Sequence, residues 1–382
     1  MKSKKVFVLA PDSFKESMTA KEVCLAMESG LKKIFPDANY IHVPMADGGE
    51  GTVQSLVDAT NGSIKTVTVI GPLGTSVEAS YGIMGCGQIG VIEMAAASGI
   101  HFVNAETKNP LKTTTYGTGQ LIKDCLDQGI KKIILGIGGS ATNDGGAGMA
   151  MALGVKFYDN SGLEIGFGGG ELNKISRIDM SCFDRRLNDV ELIVACDVTN
   201  PLCGEHGASA VFGPQKGATP EMVEVLDKNL SHYANVINTQ LSRDVANVPG
   251  SGAAGGMGAG LMAFTKCQLR RGIDIVVEYT GLRAKLAKAD ICFTGEGRID
   301  FQTKFGKTPF GVAQVAKENN VPVIAVSGCI GAGVDVLHEE GIDAIFGIIP
   351  NASPIDALLK NGAINMERAC ENIGRLIKVA MA

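Results

Sequence analysis

Two ends of this chain share a rhythm that the middle lacks. Val6 to Ala10 is short, branched and apolar, and Pro11 stops it, as expected of a buried strand. Thr19 with Glu22 three residues on forms a capping box. The helix it opens has apolar residues at Val23, Met27, Leu31 and Ile34. Tyr40 to Met45 is a second strand, and another helix follows to about Thr60. From Asp290 the same alternation returns, with strands at 291–294, 323–326 and 344–348 and an amphipathic last helix over 365–380. Strands alternating with helices belong to a parallel sheet. Between the two ends, 65–70, 78–84 and 91–94 are neighbouring strands of a mixed or antiparallel sheet. The expected fold class is therefore α/β in two domains. Residues 1–62 plus 285–382 form a discontinuous parallel α/β domain. Residues 63–284 form a mixed α/β domain inserted into it, with a hinge and a cleft between the two.

A chain of 382 residues is long for one core, which agrees with two domains. The net charge of −5 comes without a basic stripe, which argues against nucleic acid. No apolar run reaches transmembrane length. Ten scattered cysteines without a C-x-x-C pair fit reduced thiols. A soluble cytoplasmic protein is expected.

In a parallel sheet, ligands sit beyond the carboxyl ends of the strands. Here those ends are acidic: Asp12, then Asp47 with Glu50, then Glu296 with Asp300. One such residue could be a helix cap. Three converging strand ends suit Mg²⁺, or a base for an attacking hydroxyl. Lys15 and Arg298 lie in the same loops and suit a carboxylate or a transferring phosphoryl group.

The middle holds a different feature. Ile133 to Leu135 empties into a loop with glycines at 136, 138, 139, 145, 146 and 148. Bare amides in such a loop suit an anion. Ser140, Thr142, Asn143 and Asp144 stand between the glycines. Asp197, Lys216, the run Thr113–Thr115 and the pair Gly255–Gly256 are further candidates in the same domain. Gly136, Gly138 and Ala141 also spell G-x-G-x-x-A, with Asp159 where a ribose-binding acid belongs. A nicotinamide-dependent dehydrogenase is thus a rival reading. A sugar-acid sensor is another, but no basic helix-turn-helix accompanies it. Gly306-Lys307-Thr308 resembles the end of a P-loop, yet Phe301 stands where that motif needs glycine.

Nine segments taken together resemble the bacterial glycerate kinases. They are APDSFKESMTA (10–20), PMADGGEGT (44–52), EMAAASG (93–99), TTYGTGQLI (114–122), GIGGSATNDGGAGM (136–149), CDVTNPL (196–202), FGPQKGA (212–218), GAAGGMGAG (252–260) and TGEGRIDFQTKFGKTPFGVA (294–313). The resemblance implies ATP-dependent phosphorylation of D-glycerate with Mg²⁺, and favours 2-phosphoglycerate over 3-phosphoglycerate as product. It also implies that the discontinuous domain is Rossmann- or flavodoxin-like and that the active site lies in the cleft between it and the inserted domain. On that reading Asp12, Asp47, Asp197 and Glu296 are the metal candidates. Asp47, Glu296, Asp12, Lys15 and Arg298 are the catalytic candidates. Ser13, Gly48, Gly49, Gly138, Gly139, Ser140, Asn143, Asp144, Lys216, Gly255, Gly256 and Lys307 are the candidates for holding glycerate or ATP. Which domain takes ATP stays open.

Overall fold

The computed structural model describes residues 4–381. The chain is mixed α/β and divides into two compact units, Met1–Asn61 with Arg271–Ala382, and Gly62–Arg270. Residues 271–284, expected in the insertion, group instead with the first unit. The helix Gly272–Thr280 belongs there because Gly272 lies flat against the backbone of Asp47 and Gly48.

The first unit is built on five parallel strands. Across the sheet they run Ala344–Gly347, Val323–Ser327, Ile291–Thr294, Val6–Leu9, Asn39–His42. Counted along the chain from the Asn39 edge, that order is 2-1-3-4-5, the flavodoxin arrangement. Strand order reverses between Val6–Leu9 and Ile291–Thr294, which makes their carboxyl ends the natural ligand crevice. Apolar side chains on those strands explain their place at the centre. Phe7, Leu9 and Phe293 have no exposed surface and pack with Met27, Leu31 and Cys370 from flanking helices. The capping box at Thr19 forms as expected, with the Thr19 amide donating to Glu22 Oε2 at 2.8 Å.

The second unit has a six-stranded sheet. Ser63–Ile70, Ser76–Ile83 and Ile89–Glu93 are antiparallel neighbours, and Lys132–Gly136, Glu191–Ala195 and Gln268–Arg270 continue in parallel. Its strands follow one another in chain order, so this sheet has no reversal point. Ile133, Ile134 and Leu135 are fully buried, as a parallel strand covered on both faces requires. The glycine patch 250–260 is no loose connector. It enters the helix Ala253–Phe264, in which Ala254, Gly255 and Gly256 take left-handed angles. A Cβ on Gly255 would stand 2.0 Å from the Thr142 carbonyl oxygen. Those glycines are therefore required by contact with the 136–149 loop.

In the first unit, the helices Ala20–Lys32 and Gly362–Ala380 meet at Gly30, where an added Cβ would lie 2.1 Å from the Glu367 carbonyl oxygen. Alanine would gain roughly 0.8–1 kcal/mol of helix propensity. Forcing the helices apart costs about 1–3 kcal/mol. Gly30→Ala is thus expected to lower the urea midpoint without changing the slope; an unchanged or raised midpoint would show that the helices separate freely.

Candidate active site

The acidic loops of the first unit are hydrogen-bonded into one surface. The Asp12 amide donates to the Gly295 carbonyl at 2.8 Å, and the Met45 amide to the Pro11 carbonyl at 2.9 Å. Three strand ends are thereby held together around Asp12. Its carboxylate accepts from the Ser13 amide at 2.6 Å and from the Thr308 hydroxyl. Burial still pushes its pKa up to about 7, against the pull of those donors, and the charges of Asp47 and Glu296 add to the rise. Glu296 is 9% exposed and also raised, first by burial and then by Asp47. The Thr303 hydroxyl at 2.6 Å and Lys307 Nζ at 3.2 Å pull it the other way. Asp47 accepts from the Gly49 amide at 3.0 Å, a capping contact that fixes its direction.

These residues therefore form a carboxylate group that protons or a cation would relieve. Among the described residues, no three or more His, Cys, Asp or Glu are disposed to hold a metal unaided. Asp197 belongs to the second unit, at the exposed end of its Glu191–Ala195 strand. The cations differ from one another. Lys15 and Glu50 form an exposed pair at 3.3 Å, and Arg298 reaches Asp300 at 3.3 Å. Asp300 itself caps the turn Phe301–Phe305 by accepting from the Gln302 amide. Lys307 is the cation on Glu296. Thr303 and Thr308 were missed from the sequence; the hydroxyl in Gly306-Lys307-Thr308 was the available signal.

In the second unit the loop after Lys132–Gly136 is shaped by buried polar groups. Gly138 and Gly139 are exposed, and among the described residues the amides of Gly138, Gly139 and Ser140 donate no backbone hydrogen bond. Deeper in the loop, Asp144 is 1% exposed and accepts four hydrogen bonds. They come from the Thr115 amide (2.8 Å) and hydroxyl (2.9 Å), the Gly146 amide (3.1 Å) and the Gly148 amide (3.2 Å). Both oxygens are occupied, so Asp144 braces the loop rather than meeting a ligand. Thr113 donates to the Ala141 carbonyl at 2.9 Å, which gives that threonine a bracing role too. Asn143 donates to Ser209 at 3.0 Å, and its Oδ1 is buried without a partner. Lys216 is 1% exposed and donates to Ser140 Oγ at 2.8 Å and the Thr142 carbonyl at 2.7 Å. Burial pulls its pKa down to about 7, opposed by Asp144.

The dehydrogenase reading fails on this geometry. The helix after the glycine loop, Ala147–Ala152, has six residues. The strand just before Asp159, Lys156–Tyr158, pairs with Arg177–Asp179 and bridges Glu164, outside the main sheet. Asp159 Oδ1 accepts from the Ser161 and Leu163 amides, so it closes a turn.

The chain thus combines a flavodoxin-ordered sheet with acidic strand ends and a glycine-rich loop with exposed amides, an α/β architecture open to several chemistries. Comparison with known proteins makes the class specific. The profile of the glycerate kinase family matches residues 7–378. A glycerate kinase of Halalkalibacterium halodurans is 55% identical over 96% of both chains. A glycerate 2-kinase of Escherichia coli K12 is 52% identical over 98% of both. The crystal structure of a Salmonella typhimurium LT2 protein assigned as glycerate kinase 2 superposes with a TM-score of 0.92 at 51% identity, covering 99% of this chain and 100% of that one. The chain belongs to the glycerate kinase family, and it is a kinase with an alcohol acceptor. Among the described residues no helix is long and apolar enough to cross a membrane.

The buried amine gives a pH test. A lysine whose folded pKa is depressed binds fewer protons folded than unfolded between about pH 7 and its ordinary value near 10.4. Stability must therefore rise with pH across that window, by at most about 1.4 kcal/mol per unit. Lys216→Met should remove this rise. Parallel pH dependences of the denaturation midpoint in parent and variant would show that the amine is not held neutral.

Proposed function

We propose that this protein transfers the γ-phosphoryl group of ATP to a hydroxyl of D-glycerate, giving ADP and 2-phosphoglycerate in preference to 3-phosphoglycerate. The observation that carries the reading is the group Asp12, Asp47 and Glu296 at the reversal point of the first sheet. The E. coli relative is a glycerate 2-kinase, which supports the 2-phosphate product. The acids of the first unit and the Gly138–Ser140 amides of the second serve the same reaction.

Phosphoryl transfer demands positioning and charge neutralisation more than covalent chemistry. Mg²⁺ would be held by some of Asp12, Asp47, Asp197 and Glu296. The ion would supply positive charge to the transferring phosphate oxygens. A carboxylate must also take the proton of the glycerate hydroxyl as its oxygen attacks phosphorus. Asp12, with a pKa near 7, is best matched to that step. Ser13, Gly48 and Gly49 line the same loops and would approach the substrates by backbone and hydroxyl. Lys307 counters Glu296 and would meet phosphate when the acid turns to metal. Lys15 and Arg298, both exposed on the rim of these loops, would bind the glycerate carboxylate or the transferring group. The Gly138, Gly139 and Ser140 amides would cradle either a nucleotide phosphate or the glycerate carboxylate. Ten unpaired thiols suit a reducing compartment, and we place the protein in the cytoplasm.

The direct test combines purified protein, ATP, Mg²⁺ and D-glycerate. ADP should appear only when all are present, and its absence would sink the kinase reading. Coupling to enolase without phosphoglycerate mutase should give signal; a strict need for the mutase would assign the 3-phosphate instead.

Asp47→Asn and Glu296→Gln should each lower kcat by at least about a hundredfold while raising the KM for glycerate far less, because charge neutralisation is needed most in the transition state. Near-parent kcat in both variants would reduce them to helix and turn caps.

A further inference from the structure

The second unit holds a cation where neither packing nor solvation accounts for it. Lys216 lies in the short turn Pro214–Lys216, just before Gly217, whose left-handed φ of 93° lets the chain reverse there. The side-chain nitrogen is buried and, among the described residues, has no carboxylate in salt-bridge contact; its hydrogen-bond partners are Ser140 Oγ and the Thr142 carbonyl, both in the 136–149 loop. Burying a lysine without a contacting counter-ion is costly, and a methionine of similar shape would fill the same space.

Donor and acceptor chemistry indicates what the arrangement gives in return. Below its folded pKa of about 7 the Lys216 side chain is an ammonium and only donates, so Ser140 Oγ accepts from it and keeps its own O–H proton free to donate elsewhere. Ser140 is 7% exposed, beside the exposed Gly138 and Gly139 whose amides have no backbone partner. We propose that Lys216 is a positioning residue that locks the Ser140 hydroxyl as a donor toward an anion seated on the Gly138–Ser140 amides. The lysine itself never touches the ligand. Its second bond, to the Thr142 carbonyl, fixes the loop on the far side of Ala141, so the hydroxyl and the amides keep one relative orientation. The proposal rests on the reading of this loop as an anion cradle, and it takes the anion to be a phosphate or carboxylate of one of the two substrates.

A double-mutant cycle tests it. Lys216→Met, Ser140→Ala and the double variant are assayed for kcat and for the KM of ATP and of D-glycerate separately. Each single variant should raise the KM of the same one substrate, on the order of tenfold, as expected for loss of a hydrogen bond to a charged group. The double variant should be little worse than either single one. Lys216→Gln, which retains a donor, should recover part of the loss, and it takes the place of the methionine variant if that one does not fold. Two failures are distinguishable. If Ser140→Ala leaves both KM values at parent levels, the loop holds no ligand and the cradle reading falls with the proposal. If Ser140→Ala raises one KM while Lys216→Met does not, or if the two effects multiply fully in the double variant, the cradle stands and the positioning role is overturned.

Discussion

The second unit depends on a carboxylate that water cannot reach. Asp144 gathers four donors from two places in the chain, Thr115 ahead of the helix Tyr116–Asp127 and the start of the helix Ala147–Ala152. The Thr115 hydroxyl extends the link by accepting from the Met149 amide at 2.9 Å. Those bracketing bonds help offset the chain entropy lost in ordering a loop with six glycines. The bracket also explains the glycines packed around it. A Cβ on Gly148 would strike Thr114 Oγ1 at 2.2 Å, and one on Gly260 the Gly145 carbonyl at 2.5 Å. The glycine content of this region is in large part the consequence of bringing backbone to backbone around one buried acid. Only Gly138 and Gly139 remain exposed for a ligand.

The first unit uses acids differently. Its sheet reverses direction of growth at the Val6–Leu9 strand, and the acidic loops emerge on both sides of that point. Hydrogen bonds between Asp12 and Gly295 and between Met45 and Pro11 prevent the loops from spreading. Burial first, and then like charges that the backbone keeps close against their own repulsion, raise the proton affinity of Asp12 and Glu296.

The sequence was most informative where periodicity reports burial. The strand Ile291–Thr294 was placed to the residue, because it is bounded by turn signals on both sides. The boundary near residue 271 was not legible, since Gly272–Thr280 is an ordinary amphipathic helix and only the close approach of Gly272 to Asp47 assigns it. Acidic strand ends were visible as a pattern, but their partners were not. Thr308 and Thr303 lie hundreds and a few residues away from the acids they serve, and nothing in a linear pattern marks a hydroxyl that will point back. Asp159 misled for the opposite reason: spacing alone suggested a ribose contact, while the strand just before it pairs outside the sheet.

Asp12 and Asp144 together show why residue type and burial do not decide a role. Both are aspartates after strand-to-loop junctions, and burial raises the proton affinity of both. Asp144 is met by four donors, two of them loop amides at the start of the helix it braces, so its charge is spent on structure. Asp12 is met by one amide, the serine that bears it and one threonine, and faces two further acids. A saturated carboxylate has nothing left to offer a substrate. An under-supplied one among like charges can gain by binding a cation or taking a proton. That difference in donor supply, set by the surroundings rather than by the aspartate, separates the acid that braces a loop from the one proposed for the chemistry.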